Sequence, residues 1–266
     1  MLPAANFKSH QQQSKGLRRK MTTKNADAIA TGFDPDLAAK AFFADPQWLF
    51  KTGIGGFLNV VSFILCALNY MLIPVAFLIW GVVTGYVLRA ARLHMESPDS
   101  KLPEWDDWLD LLVSGLTWMA IYTGQLLFFF SVFSTLMLIG LSTGMVSALN
   151  PHNLQWSFGT LYGLTGLAIM IAMNSAYLMI NLAKEERLSG AFAVNLVISK
   201  ISERPADFIL AWLLSMGIQL AAIILPAITV VGMFFLPSIW FAGQVLSALV
   251  LAQVWTTASQ KAKATA

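Results

Sequence analysis

What the chain lacks is charge along most of its length. Of its 266 residues, 31 are Asp, Glu, Lys or Arg, and all fall in four stretches, 1–51, 89–110, 184–207 and 261–266. Between them run 37, 73 and 53 residues without a single charge. A charge at the centre of a bilayer costs about 2.5–3.5 kcal/mol on insertion scales, whereas a water-facing fold scatters charges over its whole surface. The sorting excludes a soluble globular domain and predicts a polytopic membrane protein. Cysteine is equally scarce. Cys66 is alone and lies inside an apolar run, so neither a disulfide framework nor a cysteine metal site can form within one chain. No Gly-rich phosphate loop, nucleophile elbow or zinc motif occurs. The acidic residues Glu104, Asp106, Asp107 and Asp110 lack the Gly turn and closing Glu of a calcium loop. The histidines, His10, His94 and His152, are dispersed, so no pair within one span could hold a metal or haem. No catalytic residue, no cofactor and no metal site is therefore predicted.

Acidic residues are also missing from residues 1–26, which carry six Lys and Arg. No apolar core follows at signal-peptide spacing, and residues 1–35 read as a basic, disordered tail. A single membrane domain is expected over 36–256, with a short tail at 257–266. Hydrophobic residues make up 57% and charged residues 12%, against about 25% charged in soluble domains. The pI near 9.0 then marks loops that orient the chain in a bilayer and does not point to nucleic acid.

A bilayer core takes about 20 helical residues per crossing. The run 111–183 accommodates two spans, near 116–146 and 157–181, around the turn signal Asn150-Pro151-His152-Asn153. The run 208–260 accommodates two more, near 208–227 and 230–254, with Pro226 at the connection. The run 52–88 allows two short spans broken near Asn69 to Pro74, a re-entrant hairpin, or one tilted helix. Every Lys and Arg lies in the four charged stretches, and short basic loops stay cytoplasmic. All four should share that face, which requires each apolar run to return. The expectation is an all-α protein with about six membrane segments in three hairpins, both termini cytoplasmic. Interfacial amphipathic helices should join them. Pro103 and the acids after it suit a helix start, and Trp105, Trp108, Leu109 and Leu112 share one face at helical spacing. Residues 188–201 and 36–50 are two further candidates.

Several short segments carry a family resemblance. They are Asp45-Pro46-Gln47-Trp48, Ile54-Gly55-Gly56, Gly85-Tyr86 with Arg89, and Leu102-Pro103-Glu104-Trp105-Asp106-Asp107-Trp108. Gly115, Gly190-Ala191-Phe192 and Pro205-Ala206-Asp207-Phe208 complete the set. In this order, over residues 45 to about 255, the chain resembles the bacterial and archaeal membrane family designated domain of unknown function 4013. The run between Gly56 and Gly85 is longer than the family pattern by roughly half a span. The resemblance implies a membrane-helical fold and no activity.

The remaining polar residues have ordinary structural readings beside functional ones. The acidic cluster, Asp106, Asp107 and Asp110 with Glu104 and Glu96, could hold a cation, dock a basic partner or simply solvate a helix face, pairing with Arg89, Arg92 or Arg204. The amides Asn59, Asn69, Gln125, Asn174, Gln219 and Gln244 are expected to join helices. Ser131, Ser134, Thr135 and Thr165 are expected to bond within their own helices. Gly81/Gly85, Gly140/Gly144 and Gly159/Gly163 have the spacing for close helix approach. With no ionisable group inside a span, ion-coupled transport is disfavoured. The leading expectation is a non-enzymatic membrane protein that scaffolds, assembles or regulates other membrane components. Its partners would be the bilayer and other membrane proteins met at the cytoplasmic interface. The rival is a transporter or permease component for a neutral or lipid-like solute. An interfacial lipid enzyme built on Asp106, Asp107 and His94 is a third class.

Overall fold

The computed structural model describes residues 35–98, 100–142, 175–185 and 193–265. Every regular element among them is helical. The helices are α1 (Pro35–Ala44), α2 (Trp48–Leu68), α3 (Ile73–Glu96), α4 (Trp108–Ser142), α5 (residues 175–185), α6 (Val194–Glu203), α7 (Pro205–Ala227) and α8 (Val230–Thr265).

The first apolar run forms two full helices. α2 has 21 residues and α3 has 24, about 32 and 36 Å at 1.5 Å per residue, and a bilayer core is about 30 Å thick. Each is long enough to cross. The break comes where Asn69 leaves the helical region at φ −162° and ψ 133°. Its side chain accepts a hydrogen bond from the Met71 N–H (2.9 Å), and Pro74 sits in the first turn of α3. A short 3-10 turn, Tyr70–Leu72, fills the corner. The other described connection follows Pro226. Thr229 caps α8 by accepting from the Gly232 N–H (2.9 Å).

Among the described residues, five helical stretches are long and apolar enough to cross a membrane: Trp48–Leu68, Tyr70–Glu96, Trp108–Val132, Pro205–Ala227 and Val230–Thr257. The expected span 157–181 and the turn at 150–153 fall mostly outside the described residues, as do the tail 1–34, Gly144, Gly159/Gly163 and residues 190–192. α8 is the central helix. It packs on α7, α2 and α3, and touches α1 and α6 at its ends. Its buried side chains run from Phe241 through Val245, Leu249 and Val250 to Trp255.

Glycines set the closest approaches. A Cβ at Gly115 would strike the Gly81 carbonyl, and one at Gly85 would strike the Leu111 carbonyl. α3 and α4 therefore touch backbone to backbone, and the Gly81/Gly85 spacing serves internal packing. Gly55 and Gly56 do the same for α2 against Phe241 and Ser238 of α8. Polar groups cross between helices as well. Ser175 donates to the Gln125 side chain (2.8 Å), and Ser247 donates to the Ser215 carbonyl (3.1 Å). Thr135 bonds within its own helix, to the Ser131 carbonyl.

Described parts of the first three charged stretches meet at one end of the bundle. Lys51 reaches Leu102, Arg89 reaches Asp106, Arg92 reaches Ala183, and Lys200 lies over Trp255.

Candidate functional site

The expected helix beginning at Pro103 is absent. Residues 101–107 run as an extended strap across the charged end, and α4 begins at Trp108. Two causes are visible. Asp107 has φ +47°, a left-handed conformation that ends a right-handed helix and that Asp tolerates better than most residues. The strap's inward groups are also taken by partners far along the sequence. In a helix, Trp105, Trp108, Leu109 and Leu112 would share a lipid-facing stripe. In the strap, Leu102 and Pro103 turn inward and are buried, Trp105 is half-buried, and Trp108 and Leu109 are exposed. The N-terminal dipole of α4 is served one turn later than expected, with Asp106, Asp107 and Asp110 around its first turn.

Lys51 organises the strap. It lies in the first turn of α2 and is 2% exposed. Its ammonium meets three acceptors: Asp45 Oδ2 (2.8 Å), the Leu102 carbonyl (2.8 Å) and Glu104 Oε1 (2.7 Å). All three of its N–H donors are thus matched, which is what keeps a buried ammonium tolerable. Asp45 is 1% exposed and also accepts from the Gln47 N–H (2.8 Å), closing the turn between α1 and α2 around Pro46. Burial acts to raise its carboxyl pKa. The hydrogen bonds from Lys51 and Gln47, with the Lys51 charge, outweigh that and hold it below the ordinary 3.8. Trp48 opens α2 and packs edge-on against Phe43 and tilted against Phe42, which joins α1 to the bundle.

An aromatic stack lies beside this cluster. Tyr86 and Trp105 are parallel with centroids 4.1 Å apart, and Trp108 stacks on Trp105 at 5.7 Å. Tyr86 donates to the Pro103 carbonyl (2.9 Å), and the Trp105 indole donates to the Lys51 carbonyl (3.0 Å). Phe241 of α8 closes the stack from the other side. Arg89, one turn beyond Tyr86, bonds the Asp106 and Asp110 side chains (2.7 and 2.9 Å), with Asp107 at 3.9 Å. These carboxylates are about half exposed or more, so each pair contributes little to stability.

Asp45, Pro46, Trp48, Gly85, Tyr86, Arg89 and the whole segment Leu102 to Trp108 thus form one connected assembly. Pro205 and Asp207 belong to a different corner. Pro205 starts α7, and Asp207 pairs with Arg204 at 3.4 Å. There Tyr177 donates to the Phe208 carbonyl, and Tyr177, Phe208 and Trp255 pack as a ring cluster. Lys200 lies 3.9 Å above the Trp255 ring. Of the two other arginines expected to pair with acids, Arg204 does so with Asp207, and Arg92 donates, among its contacts, from Nε to the Ala183 carbonyl (2.9 Å). α6 overlaps the expected segment 188–201, running on to Glu203, but turns only Val197 fully inward, leaving Leu196 and Ile198 exposed.

Sequence reasoning missed Lys51 and the burial of His94, which is 3% exposed in the last turn of α3. Lys51 is the last charge before an apolar run and looks like any solvated flanking lysine. The only hint is Asp45 six residues earlier. Among the described residues, no group of three or more His, Cys, Asp and Glu is arranged to hold a metal ion.

The profile of the family described as Protein of unknown function (DUF4013) matches residues 68–236, more than half the chain, and the protein belongs to that family. Asp45, Pro46, Trp48, Gly55, Gly56 and Lys51 lie outside the matched stretch. No curated protein and no solved structure matches the chain.

Proposed function

We propose that this family member is a non-enzymatic membrane protein that works by interaction, and that its working surface is the charged end of the bundle. The carrying observation is how the motif residues are used. Lys51, Asp45, Tyr86, Trp105 and Arg89 direct their polar groups at one another, at the strap backbone, or at the Glu104, Asp106 and Asp110 carboxylates. They brace a surface. Left outward are the carboxylates of Glu104, Asp106 and Asp107, each about two-thirds exposed or more. Beside them lie Trp108 and Leu109, 47% and 71% exposed. An acidic ridge with an exposed indole fits a basic, partly apolar segment of another membrane protein, and Trp is a frequent anchor in such contacts.

The orientation we propose has this face and both termini in the cytoplasm. The clustering of Lys and Arg in the stretches that meet there supports it, as does the contact of Arg92 with Ala183, which brings the two ends of the run 111–183 together. Reporter fusions at the termini that read periplasmic or lumenal would overturn it.

The interaction reading is tested by separating the two tryptophans. Trp108→Ala should reduce co-purification of partners at unchanged protein abundance, whereas Trp105→Ala, which removes a stacking and hydrogen-bonded brace, should lower abundance. Unchanged partner recovery with Trp108→Ala rejects the proposal.

A further inference from the structure

The ends of α3, α4 and α5 enclose a cleft of about 200 Å³ lined by Leu88, Arg92, Asp110, Ser114, Thr117 and Leu182, with Val113 and Ala183 at its edges. At about 30 Å³ per water, it has room for roughly six water-sized groups. Its wall is chemically divided. Arg92 brings a guanidinium fixed by its bond to the Ala183 carbonyl. Ser114 and Thr117, one helical turn apart on α4, bring hydroxyls engaged in no hydrogen bond among the described residues. Asp110 gives Oδ2 to Arg89 (2.9 Å), which leaves its second oxygen for the cleft. Val113, which lines the cleft and is 57% exposed, and Leu109, 71% exposed, lie on the apolar surface of a candidate membrane span.

We propose that this cleft binds the head group of a zwitterionic aminophospholipid. The phosphate would take its donors from Arg92, Ser114 and Thr117, a charge-assisted contact with two hydroxyl bonds. The primary ammonium would donate to the free oxygen of Asp110, and the acyl chains would lie along Leu109 and Val113. A carboxylate beside the arginine disfavours a purely anionic head group. It also favours an ammonium that carries N–H donors over a trimethylated one that has none. The site rests on the membrane reading of the fold and is independent of any protein partner.

The test is native mass spectrometry of the full chain, released from micelles holding equal amounts of phosphatidylethanolamine, phosphatidylcholine and phosphatidylglycerol. The wild type should retain phosphatidylethanolamine in preference to both others. The Ser114→Ala/Thr117→Val variant should lose roughly tenfold of that retention, the worth of two modest hydrogen bonds. Asp110→Asn should erase the preference over phosphatidylcholine, while Gly124→Ala, whose added Cβ meets nothing within 4 Å, should keep it. Free phosphoethanolamine should not displace the bound lipid. Equal retention of the three lipids overturns the proposal, as does full retention in the double hydroxyl variant. Displacement by phosphoethanolamine would make a soluble phosphate ester, not a lipid, the ligand. A wild type that keeps the preference but binds no protein partner leaves this site standing and removes only the interaction proposal.

Discussion

Replacing Lys51 with Met should be among the most damaging single changes in the charged end, and the damage should be largely reversible by a second change. Met fills nearly the same volume, so the perturbation is electrostatic. The Lys51 and Asp45 charges are 2.8 Å apart at 2% and 1% exposure. Their gross attraction is about 6 kcal/mol at an effective dielectric constant of 20, set against the desolvation of both. Removing one partner of a buried pair strands the other and typically costs about 3–5 kcal/mol. Lys51→Met also frees the Leu102 carbonyl and loosens the strap. Asp45→Asn/Lys51→Met removes both charges and keeps an acceptor for the Gln47 N–H, so it should recover at least about 2 kcal/mol of the loss. Glu104→Gln alone should cost no more than about 1 kcal/mol, because that carboxylate is 66% exposed and screened. Thermal unfolding followed by tryptophan fluorescence in mild detergent reads these changes, and the single variant should melt on the order of 10 °C below wild type. The pH dependence adds a second handle. The folded Asp45 pKa is depressed below 3.8, so its contribution is fully present above pH 4 and lost as pH falls through the folded value. The gap between wild type and Asp45→Asn should stay flat from about pH 5 to 7 and close below about pH 4. A Lys51→Met loss under about 1 kcal/mol, or a double variant as unstable as the two singles summed, would refute the idea of a buried coupled pair.

Three further outcomes follow from the packing. Gly115→Ala drives a methyl into the Gly81 carbonyl and should destabilise by about 1–3 kcal/mol, while Gly124→Ala, whose Cβ meets nothing within 4 Å, should be neutral in the same melting assay. Tyr86→Phe removes only the bond to the Pro103 carbonyl and should cost about 0.5–1.5 kcal/mol, with faster proteolysis of residues 101–107. Lys200 lies over Trp255, where burial first and then the neighbouring Lys184 charge depress its pKa from 10.5 to about 8, against the opposing pull of Glu203 and Glu185. The unfolded chain then binds more protons between those two values, so stability should rise with pH across that window, and Lys200→Met should abolish the rise.

The membrane helices were legible in the sequence because their cause is a global one. Expelling charge from hydrocarbon leaves a mark on every residue of a span, and the apolar runs show it without any knowledge of neighbours. The first hairpin needed one local detail more, the Asn69 turn before Pro74, which the sequence displays but cannot weigh against a re-entrant loop. Gly81, Gly85 and Gly115 were visible as small residues at helical spacing; that they meet across α3 and α4 is a pairing, and pairings are not written in one segment. The strap failed for the same reason. Trp105, Trp108, Leu109 and Leu112 have helical periodicity, and a local rule reads them as a helix. What decides otherwise is Lys51, fifty-one residues before Leu102, together with the left-handed Asp107.

That failure bears on what the charged end is for. Within lipid, apolar side chains gain little by choosing one helical neighbour over another, since the acyl chains are as apolar as they are. Directional bonds can fix a segment where hydrophobic contact cannot. Among those that hold the strap are Leu102 to Lys51, Glu104 to Lys51, Pro103 to Tyr86, Trp105 to the Lys51 carbonyl, and Asp106 to Arg89. They come from two helices, α2 and α3, that pack on each other and on α8. A segment that only needed to anchor in the head-group layer would require no such bracing, because an amphipathic helix does that with its apolar face alone. Under the proposed interaction, the cost of burying Lys51 is offset by presenting the outward side chains of the strap, Glu104, Asp106, Asp107 and Trp108, in one fixed arrangement for a partner to meet.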